Sequence, residues 1–121
     1  MPSGSFQHRV WQWVVACFPT SAHLNVQERN HRFLEEALEL AQANSCTKAE
    51  ALELLEYVFG RPKGDVRQEV GGVVVTLAAL CNATSVDMDD AAEQELQRNW
   101  SRIDRIRAKQ AAKRQGSALP Q

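Results

Sequence analysis

Three carboxylates fall inside one short segment, Arg32-Phe33-Leu34-Glu35-Glu36-Ala37-Leu38-Glu39-Leu40. On a helix Glu36 and Glu39 are three apart and project side by side, while Glu35 stands about 100° round the axis. Phe33, Leu34, Ala37, Leu38, Leu40 and Ala41 take up much of the same circumference, so Glu36 and Glu39 border or enter whichever face this helix buries. Burying unpaired carboxylates is costly, and a cation is the natural remedy. Glu69 repeats the situation, because it heads the apolar run 70–81. Two such helices packed together are expected to bring their acids to one spot, where a hard cation such as Mg²⁺ takes carboxylate oxygens and keeps waters and substrate phosphates as its other ligands. The plainer alternative is a solvated helix face, the usual fate of helical glutamates.

Turn and cap signals divide the remainder into helices. Phe6, Val10, Trp13, Val14 and Cys17 recur at helical spacing and predict a first helix that stops before Pro19. A short linker over 19–25 leads to a second helix over 26–42 that carries the acids, ended by Asn44-Ser45. Thr47 with Glu50 reads as a capping box for a third helix through Leu52, Leu55 and Val58, stopped by Gly60 and Pro62. Asp65, three before Gln68, starts a fourth helix that runs to about residue 81 or 82. Its valines suit a strand as well, but the run is long for a buried strand and no partner strand is visible. Asp87 caps a last helix continuing through Leu96, Trp100, Ile103 and Ile106, and the polar, basic tail 109–121 is expected to fray. The expected architecture is all-α, a bundle of four to five helices in one domain over 1–108.

At 121 residues the chain is long enough to bury a core without disulfides or metal staples. A net charge of −1 supplies no global field for nucleic acid or an anionic membrane, and no apolar run approaches the ~20 residues that span a bilayer. Gln7, His8, Arg9 and Gln12 interrupt the N-terminal apolar positions, so no signal peptide is expected and the expected location is the cytoplasm. Cys17, Cys46 and Cys81 form no CxxC pair and are expected to behave as small hydrophobes.

The pairing of Glu35-Glu36-x-x-Glu39 with a later Glu69 heading an apolar helix resembles the all-α nucleotide pyrophosphohydrolases, the MazG-like and phosphoribosyl-ATP pyrophosphohydrolase group. Their pattern is EExxE followed, after a variable spacer, by ExxD. The stretch from Glu95 to Arg102 is similar to the KxxNxxR-type segment that handles nucleotide phosphate in those proteins, and the likeness covers roughly residues 28–105. The resemblance implies Mg²⁺-dependent hydrolysis of a nucleoside triphosphate, or a related nucleotide, to the monophosphate and pyrophosphate, with Mn²⁺ as a substitute ion. It implies Glu36, Glu39 and Glu69 as metal ligands, with Glu35 and Glu36 catalytic, Glu35 as second ligand or general base. Arg98, Asn99 and Arg102 would grip phosphate and Trp13 would stack on the base. It also implies a homodimer or dimer of dimers. Without it, Arg98 and Arg102 read as a solvated basic stripe paired with Glu95 or Asp104, and the tryptophans as core or interface anchors.

Position 72, where the family pattern places its last metal-binding aspartate, holds Gly72. A helical glycine costs ~1 kcal/mol relative to alanine, and Gly71-Gly72 is a pair, so something should offset that cost. Close helix packing is one explanation, and room for a substrate group or an extra water is another. Asp65 stands four before Glu69 as a substitute ligand, though a capping role competes for it. If nothing substitutes, the chain would be a catalytically weakened relative that binds a nucleotide or a protein partner.

Overall fold

A computed structural model describes residues 4–113 and 116–120, and these are helical without a strand. The elements are α1 (Phe6–Cys17), α2 (Thr20–His23), α3 (Val26–Ala43), α4 (Lys48–Phe59), α5 (Val66–Ala83), α6 (Met88–Ser101) and α7 (Ile103–Ala112). The all-α expectation therefore holds. Two expected boundaries differ. The linker over 19–25 contains the one-turn α2, and the expected last helix is broken at Arg102, whose φ of −114° and ψ of 21° leave the helical basin between α6 and α7.

The chain forms two units, one of Met1–Leu34 with Asp89–Gln121 and one of Glu35–Met88. In the first, Ser5 caps α1 by accepting the His8 N–H at 3.1 Å. The helix stops at Phe18, which takes up the extended backbone that a following Pro19 imposes. Here α1 packs on α2 and α7, and among the described residues Val14, Cys17 and Leu96 are the buried hydrophobic ones. Arg107 reaches from α7 and donates through Nε at 3.1 Å to the Ala16 carbonyl, satisfying an acceptor in the last turn of α1. Arg9 of α1 holds Glu93 of α6 in a two-pronged ion pair.

A buried carboxylate, Glu28, sits in the first turn of α3 at 7% exposure. Its own N–H is capped by the Asn25 side chain at 3.0 Å. Its carboxylate meets Arg32 Nε at 3.2 Å and the Lys113 ammonium just beyond α7. Lys113 also donates to the Ser117 carbonyl at 2.8 Å, and Arg32 donates to that of Ala118. Helix α7 thus runs on to Ala112, and described residues of the expected fraying tail are tied to α3. Arg114, Gln115 and Gln121 of that tail lie outside the described residues.

The unit Glu35–Met88 carries the caps expected of it. Thr47 accepts the Glu50 N–H at 3.1 Å while Glu50 accepts the Thr47 N–H at 2.8 Å, and Asp65 accepts that of Gln68 at 3.0 Å. Helices α3 and α5 end alike. Ser45 and Ser85 take positive φ of 71° and 59°, and the N–H groups of Cys46 and Val86 return to the carbonyls of Ala41 and Cys81. Gly60 closes α4 in an ordinary right-handed conformation. What this unit lacks is a core, since none of its residues is buried. Phe59 is 81% exposed and Val70 59%.

Candidate functional site

The expected metal residues all belong to the unit Glu35–Met88. Helix α3 is continuous from Val26 to Ala43, so Glu36 and Glu39 do lie on neighbouring positions of one face. Both are exposed, and Glu35 beside them is half-buried. Glu39 borders a hollow of about 320 Å³ whose lining includes Leu38, Cys46 and Lys48. Glu69 stands in the first turn of α5, its carboxylate folded over Gly64 in space that any side chain at 64 would need.

The expected meeting of Glu36, Glu39 and Glu69 around one cation is not formed within a single chain. Among the described residues, no group of three or more His, Cys, Asp or Glu side chains is placed to hold a metal ion. The physical reason is the missing core. The substantial helix pairings among the described residues are α1 with α7 and α1 with α2, both in the other unit, and α3 with α5 is not one of them. The donor chemistry suits a hard cation, but the geometry of one chain does not assemble it.

Position 72 has room. A Cβ there would meet nothing nearer than Glu69 Oε1 at 4.0 Å, an ordinary contact, so the chain's own packing does not demand glycine. A side chain at 72 would lie beside Glu69, as the ExxD pattern requires, and this sequence leaves that place without a carboxylate. Asp65 is engaged as the cap of α5 and so is committed to the helix rather than to a cation.

The expected phosphate-gripping residues lie in the first unit and are paired among themselves. Arg98 Nε is 3.2 Å from Glu95, and Arg102 is 3.7 Å from Glu95 while donating to the Asn99 side-chain oxygen at 3.0 Å. Asp104 pairs instead with Arg107 at 3.7 Å. This is the helix-surface pairing open as the alternative, and it occupies the two arginines with a carboxylate. Trp13 is half-buried and meets Phe18 edge-on, with ring centroids 5.6 Å apart. Among the described residues its indole N–H is buried without an acceptor, as is Nε of Arg102.

Other groups escaped the sequence reading. The Arg29 guanidinium lies over the Phe18 ring at 4.5 Å, and burial lowers its pKa. A groove of about 640 Å³ between α1 and α6 is lined by Gly4, Arg9, Gln12, Glu93, Leu96, Gln97 and Trp100. Along it, the hydrogen bonds from Arg9 hold the Glu93 carboxyl below the usual glutamate range and raise Arg9 in turn. The i, i+3 and i, i+4 spacings in α6 were visible beforehand. The pairing of Arg9 with a residue 84 positions away was not.

Comparison of the chain with protein-family models, curated proteins and solved structures found no match.

Proposed function

We propose that this chain is a subunit of a Mg²⁺-dependent nucleotide pyrophosphohydrolase, acting on a nucleoside triphosphate or a related nucleotide. In that reaction a water oxygen bonds to the α-phosphorus, the bond from that phosphorus to the bridging oxygen breaks, and pyrophosphate leaves with the electron pair. The observation that carries the reading is the placement of the acids. Glu35, Glu36 and Glu39 ride together on one uninterrupted helix, and Glu69 opens the next long apolar helix of the same unit. Oxygen donors of this kind suit Mg²⁺ or Mn²⁺, which when bound would neutralise charge on the phosphates. Glu35 is the residue proposed to orient or deprotonate water, being half-buried beside the two exposed acids. Arg98, Asn99 and Arg102 are proposed as phosphate contacts, which requires Arg98 and Arg102 to exchange Glu95 for the ligand.

A second reading, a weakened relative that binds without turnover, is favoured by the same region. Gly72 offers no carboxylate, Asp65 is taken by its cap and the arginines by Glu95. Pyrophosphate release from a panel of deoxynucleoside triphosphates with Mg²⁺, run beside Glu39→Gln, separates the two. The hydrolase reading expects release by the parent chain and loss in the variant. Equal background rates in both refute it. A rise in melting temperature with Mg²⁺ or Mn²⁺ that Glu39→Gln abolishes is expected of any true site, active or not.

A further inference from the structure

Between residues 98 and 113 the chain carries six cations and a single carboxylate, Asp104, while the remaining residues hold eight cations against fourteen carboxylates. The net charge of −1 therefore conceals a basic end. Most of its cations are answered within the fold. Glu95 faces both Arg98 and Arg102, Asp104 faces Arg107 at 3.7 Å, and Glu28 holds Lys113. Arg105 and Lys109 are the exceptions, since among the described residues neither has an ion-pair or hydrogen-bond partner.

These two stand four apart on α7, so they share one face with a separation of about 6 Å along the axis. Like charges at that spacing oppose helix formation. Lys109 lies in the last turn, where the helix dipole favours a cation, but Arg105 lies in the first turn, where the dipole opposes one. The stability of α7 does not account for the pair. Arg105, Ala108, Lys109 and Ala112 fall within an arc of about 100° and all four are exposed, whereas Ile103, Ile106 and Gln110 turn the other way and are half-buried. The open face thus sets a guanidinium and an ammonium among small side chains that let a broad anionic surface come close.

That pattern selects among anionic partners. A helix that lies on a membrane needs apolar side chains to bury among the lipids, and α7 turns its isoleucines inward. Single-stranded nucleic acid needs aromatic platforms for its bases, and this face has none. A regular row of phosphates fits better, because two steps along one strand of duplex DNA rise about 6.8 Å, close to the spacing of the two cations. We infer that the exposed face of α7 docks on the phosphate backbone of duplex DNA without reading its sequence, Arg105 and Lys109 each displacing a counterion. The inference stands whether or not the acids of the other unit hold a metal ion.

Fluorescence anisotropy of a short labelled duplex, titrated with the whole chain in the presence of a chelator and at several salt concentrations, tests it. The parent is expected to bind at low salt, with log K falling linearly against log salt at a slope of about −2 or steeper. Arg105→Gln combined with Lys109→Gln should make that slope shallower by about 1.8 and weaken binding roughly a hundredfold at about 50 mM salt. Glutamine is a sound helix former, so loss of α7 does not explain such a change. Lys63→Gln combined with Arg67→Gln removes the same charge from exposed positions of the other unit and is expected to leave both readings unchanged. A parent chain that does not bind the duplex at low salt overturns the inference, as does one that binds anionic phospholipid vesicles instead. So does a slope that the Arg105 and Lys109 substitutions leave unchanged, or that the control pair reduces as much.

Discussion

Removing the ammonium of Lys113 while keeping its stem, as Lys113→Met does, strands the carboxylate of Glu28. The two side chains are 8% and 9% exposed, so this is a buried ion pair rather than a surface one. Breaking a buried pair by deleting one partner costs ~3–5 kcal/mol, against ~0.2–1 for exposed pairs. Arg32 stays 3.2 Å from the same carboxylate and takes up part of the charge, and Arg29 stands at 3.9 Å, so the expected loss is reduced to about 2 kcal/mol. In a chain of this length that is a drop of roughly 6–10 °C in melting temperature. Thermal and urea unfolding followed by circular dichroism would measure it, with parent and variant at the same chain concentration because assembly shifts apparent stability. The double variant Glu28→Gln, Lys113→Met should recover part of the loss, since neither charge is then stranded. Limited proteolysis should cut residues 116–120 faster in Lys113→Met, because the Ser117 carbonyl loses its donor in the same substitution. A destabilisation under 0.5 kcal/mol, with no change in proteolysis, would refute the claim that this pair anchors the C-terminal segment.

The capping box gives a pH dependence. Hydrogen bonds from the Thr47 backbone and then its hydroxyl hold Glu50 below the usual glutamate range. A carboxylate with a depressed folded pKa adds stability that is present above its unfolded pKa and is lost as pH falls through the folded one. Glu50→Gln should accordingly flatten the acid side of the stability profile, and an NMR titration placing Glu50 at or above the ordinary value would contradict this. Cys17 is 3% exposed, and burial raises its thiol pKa against the opposing influence of Arg107 and Arg29. In the folded protein at neutral pH it should react with a thiol reagent well after the half-buried Cys46 and Cys81, and comparable rates for all three would count against that environment.

Local structure was legible from residue order because its causes are local. Proline fixes the backbone before it, which ends α1 at Phe18. Thr47 with Glu50 and Asp65 before Gln68 satisfy orphan N–H groups within three residues, and those starts appear where the spacing places them. Helical spacing also set Glu36 beside Glu39 and Arg98 near Glu95. The break at Arg102 was not legible, because nothing in its neighbours forbids a helix there. Nor were Arg9 with Glu93 or Glu28 with Lys113, which join residues 84 and 85 positions apart. Such pairs depend on which helices pack, and packing is decided by burial summed over whole faces. The sequence alone determined that this chain is helical, where α4 and α5 start, and that its acids lie on two of its helices. Only the tertiary structure decided that one unit closes over Val14, Cys17 and Leu96 while the other leaves every residue at least partly open to water. Helix formation is a property of a dozen neighbouring residues, but bringing Glu39 and Glu69 together takes an apolar face with something to cover it, and one chain does not supply that cover.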